Sequence, residues 1–102
     1  MAEITKDISN EFERGVIVKV LVSWALEWMP FYETRIQVMT RLGHTVSEDE
    51  LKFHLNYLAQ AGYAESKTLR AGRADFELAV VRATPKAVDL VEGRAADPGV
   101  AF

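Results

Sequence analysis

The sequence predicts an α+β domain from three observations: three stretches with apolar residues at helical spacing, a switch to strand-like runs after Gly62, and one short helix after Pro85. At 102 residues the chain can bury one compact core and is too short for two. The predicted organisation is a single domain over residues 1–93 with a long N-terminal helix, then an extended C-terminal tail over residues 94–102.

The first helix is expected from about Ser9 to Met29, stopping at Pro30. Ile17, Leu21, Trp24 and Trp28 fall on one face of it, and Val18, Val22 and Ala25 form a second apolar flank. A strand through "VIVKVLV" is the competing reading because the run is β-branched. The periodicity continues into Ala-Leu-Glu-Trp, which favours helix. In "YETRIQVMTRLGH", Ile36, Met39 and Leu42 share a stripe with Arg35 and Arg41 outward, and Gly43 ends this second helix. Ser47 stands three residues before Glu50, a capping-box spacing that starts a third helix. Leu51, Leu55 and Leu58 line its inner side and Gly62 is its left-handed stop.

Next come "YAESKTLR" and "DFELAVVRAT", two strands joined by the polar turn "AGRA" as a β-hairpin. Thr84-Pro85 pairs a cap residue with Pro at the first helical position, and "KAVDLVEG" forms a last short helix ending at Gly93. The remaining "RAADPGVAF" carries a Pro-Gly turn signal.

Net charge is −3, so nothing in the overall charge draws the chain to nucleic acid, and any such binding must come from local asymmetry. There are no cysteines, which excludes disulfides and the common Cys-based zinc sites. Four acids among the first thirteen residues, with no apolar run after a basic start, argue against a signal peptide. The most apolar run, "GVIVKVLVSWALEWM", contains Lys19 and Glu27 and is shorter than the roughly twenty residues a membrane span needs. A cytoplasmic protein is the expectation.

Helix, helix-turn-helix, hairpin is the order of a winged helix-turn-helix. The string from Ser47 to Gly62, with "HLNYLAQAGY" before the hairpin and "ATPKAVDLVEG" after it, resembles bacterial winged-helix regulators of the ArsR and MarR type. Ala87 stands where those families usually have Gly. The chain also resembles small winged-helix proteins of Mu-like phages and prophages. "FERG", Phe12 to Gly15, and the tail string "LVEGRAADPGV" carry that likeness. The regulator likeness implies a DNA-binding transcriptional regulator and the second likeness a phage or prophage setting; the alternative is a protein-interaction module in phage assembly, lysis or packaging.

Opposite its leucine stripe the third helix presents Asp49, Lys52, Phe53, Asn56, Tyr57 and Gln60. Asn56 and Gln60 suit an adenine edge, Lys52 a guanine or phosphate, and Phe53 a thymine methyl. Glu48, Asp49 and Glu50 oppose a DNA groove, but acids at a helix N-terminus also stabilise the helix, the blander reading and the favoured one. These acids keep a basic protein partner in contention. Arg35, Arg41, Lys67, Arg70 and Arg73 are the candidate phosphate contacts, although Lys and Arg in a hairpin also serve simply to keep an edge soluble.

Trp24, Trp28, Met29, Phe31 and Tyr32 place five large side chains within nine residues, more than this core readily covers. A homodimer through them, using the first helix and the tail, is the expectation; the base of the monomer core is the alternative. His44 and Glu48 have i, i+4 spacing but Ser47 caps the helix between them, and His54, beside core Leu55, reads as a half-buried, hydrogen-bonded histidine. No catalytic residue, metal ligand or cofactor site is predicted.

Overall fold

The computed structural model describes residues 2–70 and 77–102, with residues 2–8 described by their backbone alone. Helix α1 spans Ala2–Ser23 and α2 Phe31–Leu42, with a two-residue strand β1, Met29–Pro30, between them. Helix α3 covers Glu48–Gln60, strands β2 and β3 cover Ala64–Arg70 and Glu77–Ala83, and α4 covers Pro85–Val91. The "AGRA" turn, and Arg73 with it, lies outside the described residues.

Helix α1 stops six residues before the Met29 boundary expected from periodicity. Trp24, Ala25 and Glu27 donate their amides to carbonyls three residues back, and Ala25 and Leu26 take left-handed φ values of 53° and 63°. Pro30 acts at the far end of this turn: its ring disfavours helical geometry in the residue before it, so Met29 is held in extended backbone. There it pairs with Val81 of β3 and is fully buried. Trp28 is therefore not in helical register with Trp24.

The sheet has the order β1-β3-β2 and is antiparallel throughout, so the expected two-stranded hairpin gains a third strand. Pro30, which has no amide to donate, sits at the sheet edge as its chemistry requires. In the hairpin Ala64 faces Ala83 and Ser66 faces Val81, while Lys67 faces Val80 on the other side.

Helix α2 buries Thr34 and Val38, with Met39 and Leu42 packed at the margin of the core. Ile36, expected on the inner stripe, is 51% exposed. The helix begins directly at Phe31, and the series 31, 34, 38, 42 sets its inner face. Helix α3 follows its predicted pattern. Ser47 Oγ accepts the Glu50 amide at 3.1 Å, and Leu51, Leu55 and Leu58 are buried in one core cluster that also holds Ile17, Val20, Leu21, Val38 and Val46. Gly62, at φ 87°, turns the chain from α3 into β2. Thr84 precedes α4 but its hydroxyl does not cap that helix; it bonds Gly62 O at 2.6 Å and joins the two ends of the hairpin.

Residues 94–102 lack regular structure beyond one bridge between Asp97 and Val100, yet they are docked. Val100 is buried in the core and the Ala101 amide donates to Glu11 O on α1 at 3.0 Å.

Candidate nucleic-acid interface

Helix α3 turns Leu51, His54, Leu55 and Leu58 inward, and this leaves Asp49, Lys52, Phe53, Asn56 and Gln60 facing out. Phe53 is 57% exposed, unusual for so large an apolar side chain and open to contact with a partner. Lys52 lies over the Phe31 ring, 5.8 Å from its centroid, so its stem is guided toward α2. Glu48, Asp49 and Glu50 fill the first turn, where they favour the helix dipole.

Beneath that outer face α3 is held by a buried polar cluster. Arg14, on α1, donates from Nε to His54 Nδ1 at 3.2 Å and from Nη1 to Gly99 O at 3.3 Å. A guanidinium has only donors, so His54 Nδ1 must be the acceptor and the imidazole proton sits on Nε2. That N–H donates to Glu13 Oε2 at 2.9 Å. Burial holds the His54 pKa below its ordinary 6.5, against the pull of Glu13. The Arg14 guanidinium also stacks on Tyr57, 4.0 Å from its centroid.

Tyr57 and Tyr63 both donate to Asp97, at 2.8 and 2.9 Å, and the Gly99 amide completes that carboxylate's set. Burial pushes the Asp97 carboxyl up, but these three donors outweigh it and hold it below the usual range. Burial, then the bond to Asp97, pushes Tyr63 up to about 12. The Tyr57 hydroxyl is also raised, chiefly by its bond to Asp97. Two glycines permit this close approach: a Cβ at Gly99 would overlap the Tyr57 hydroxyl, and one at Gly15 would overlap Ala101 O.

Between α3 and the sheet runs an open groove of about 350 Å³. Phe31, Leu55, Ala59, Ala79 and Val81 give it an apolar floor, with Glu48, Lys52, Asn56 and Ser66 among its polar lining. Small side chains at Ala59, Ala64, Ser66 and Ala79 keep it unfilled.

Of the ten residues singled out for DNA, the nine that are described are spread over α2, α3 and β2. Lys52, Phe53, Asn56 and Gln60 share the outer face of α3, and Arg41 is exposed at the end of α2. Arg35 is turned inward: its Nε donates to Val46 O at 2.7 Å and fastens the turn before α3, so the expectation that it points outward is corrected. Tyr57 is likewise occupied by Asp97 rather than free. On the hairpin Lys67 and Arg82 flank the Trp28 ring at 4.2 and 4.4 Å, and Arg70 pairs with Glu77 at 3.0 Å across an exposed rung.

The five side chains expected at a dimer surface are also dispersed. Met29 is fully buried, Trp24 and Phe31 pack on the core, Trp28 lies under its two cations, and Tyr32 alone of the five is 59% exposed. Sequence reasoning missed Glu13, Arg14 and Asp97 as the residues that seat α3. The signal was present in "FERG" and "DPGV", whose residues meet here.

Among the described residues no group of His, Cys, Asp or Glu is arranged to hold a metal ion, and no helix is long and apolar enough to cross a membrane. A capped α3 behind a tight turn, a β2–β3 hairpin beside it and a third strand from the segment before α2 define a winged-helix domain. No protein-family model and no curated protein matches the sequence. Among solved structures the chain is similar to Bacillus subtilis PadR, determined in complex with operator DNA, with a TM-score of 0.62 and 15% identity. The likeness covers 83% of this chain and 48% of that one, so the chain spans about half the length of that protein.

Proposed function

We propose that this winged helix binds double-stranded DNA and acts in transcription regulation. The observation that carries the reading is the uncovered outer face of α3, where Lys52, Phe53, Asn56 and Gln60 stand in line beside a hairpin bearing Lys67 and Arg70. Asn56 and Gln60 read base edges in the major groove, while Lys67, Arg70, Arg73 and Arg41 meet phosphates. The same fold in PadR is held with operator DNA, which supports the reading at the level of architecture. A homodimer setting two α3 helices about 34 Å apart would match successive major grooves. Tyr32 is the exposed member of the aromatic group available to its interface. The resemblance of "FERG" and "LVEGRAADPGV" to phage-borne chains supports a prophage setting for the regulator.

The test is fluorescence anisotropy with labelled duplexes of random sequence and of the DNA flanking the gene, across a salt series. Affinity should fall steeply with salt, and Lys67→Ala with Arg70→Ala should lower the log–log slope by about one for each phosphate no longer neutralised. No binding at low salt to any duplex would refute the proposal.

A second reading is favoured by one feature, the acid-rich first turn of α3 beside the apolar groove. A basic protein partner with an apolar anchor side chain fits it. Asp49→Lys would abolish such an interaction and would strengthen DNA binding, so the two readings predict opposite responses to one substitution.

A further inference from the structure

The cluster under α3 joins three parts of the chain through one titratable ring. His54 is 1% exposed and touches α1 through Glu13 and Arg14. Arg14 carries the connection onward: its second nitrogen holds Gly99 O, and its plane covers Tyr57, which holds Asp97. The remaining ties of residues 97–101 run from Tyr63 to Asp97, from the Ala101 amide to Glu11 O, and through Val100, which is buried in the core. The C-terminal segment is thus a strap whose central anchor is a cation positioned by the lone pair of a histidine.

That lone pair is also the ring's vacant protonation site. A proton on Nδ1 replaces an acceptor with a donor that points at the Arg14 N–H and sets two cations side by side. Glu13 remains bonded at Nε2 and satisfies the charged ring, so Arg14 is the partner that must leave, and with it go the bond to Gly99 O and the stacking on Tyr57.

We propose that His54 is a proton-operated latch: its protonation expels Arg14 and frees the C-terminal strap, residues 97–101, from α1 and α3. The groups facing it act in both directions. Glu13 on α1 and Glu50 on α3 favour the proton, and Arg14 opposes it. His44, from the turn before α3, reaches the other oxygen of Glu13 at 3.9 Å and competes for that carboxylate. Asp97 and Tyr57 act through Arg14. Burial is the largest influence and disfavours the charged ring, so the latch is closed at neutral pH and opens only on acidification beyond the ordinary histidine range. Phe53 and Asn56 of the outer face lie within two residues of His54 on the same helix, so release of the strap loosens the seat of the surface that docks a partner. The latch does not rest on the DNA reading, and its test contains no DNA.

The experiment is nitrogen NMR of the intact chain combined with amide hydrogen exchange, from about pH 7.5 to about pH 5. At neutral pH His54 should show the Nε2–H tautomer. On acidification Nδ1 should gain its proton, and protection at Gly99 and Ala101 should fall about tenfold with the same midpoint, while the Val20 amide in the core of α1 stays protected. His54→Gln offers an oxygen to Arg14 and an N–H to Glu13, so its strap should stay protected at every pH. The proposal is overturned if strap protection stays constant while His54 titrates, or if His54→Gln keeps the wild-type pH response. Should that variant not fold, His44→Gln decides: persistence of the shared midpoint supports the latch, and loss of the response transfers it to His44 and overturns the proposal.

Discussion

Replacing Arg14 by Met keeps most of the aliphatic stem and removes the guanidinium, which isolates the polar role of a side chain that is 9% exposed. Two hydrogen bonds are removed, at 3.2 and 3.3 Å, and His54 Nδ1 is left buried without a donor. Bonds to charged groups contribute about 1.5–3 kcal/mol each and a buried unpaired acceptor costs about 1–3 kcal/mol. Both bonds are long and Gly99 is only half-buried, so water recovers part of the loss. The expected destabilisation is therefore about 2–4 kcal/mol, which for a domain near 100 residues lowers Tm by about 10–25 °C. Urea unfolding at neutral pH, followed by far-ultraviolet circular dichroism, measures it. The variant also frees Nδ1 of a cation while Glu13 stays at Nε2, so protonation becomes easier than in the wild type, and the gap between the two proteins should narrow as pH falls through the His54 range. A loss below about 0.5 kcal/mol, the range of ordinary surface substitutions, would refute the reasoning.

Gly99→Ala should cost about 1–3 kcal/mol, read by the same urea experiment, because its Cβ overlaps the Tyr57 hydroxyl and must displace either the strap or the tyrosine. Ala25→Gly should stabilise by up to about 1 kcal/mol, since Ala25 is exposed and held at φ 53°, a region that disfavours a Cβ. The phenol of Tyr63 has a raised folded-state pKa, so its contribution is complete below its ordinary 10.0 and is lost as pH rises through about 12. Ultraviolet titration should show this tyrosine ionising late, with stability falling over that alkaline interval, and Tyr63→Phe should remove that part of the pH dependence.

How much of the fold was legible depended on whether its cause was local. Ser47 and Glu50, the three leucines of α3 and Gly62 lie within sixteen residues of one another, and their spacing alone states a capped, one-faced helix with a sharp end. The hairpin was legible for the same reason, through its change of period. The end of α1 was not: helical spacing persists through Trp28, whereas the chain unwinds so that Met29 can pair with Val81, a partner that no local pattern names. Arg35 was misplaced because a charged residue on a helix reads as outward until the carbonyl it reaches, Val46 O, is known. The cluster of Glu13, Arg14, His54 and Asp97 was hidden most completely. These residues lie in separate strings, and their joint meaning is a set of contacts between residues 34 or more apart.

The bond from Arg14 to Gly99 joins residues 85 positions apart in a chain of 102. Closing a loop of that length early would order few residues for a large loss of chain entropy, so it forms late, after the helices and sheet have brought its ends together. The strap should therefore be the last region to fold and the first to open, with little effect on the folding rate and a large one on the unfolding rate. Mutations along it would shorten the lifetime of the folded protein while leaving the speed of its formation nearly unchanged.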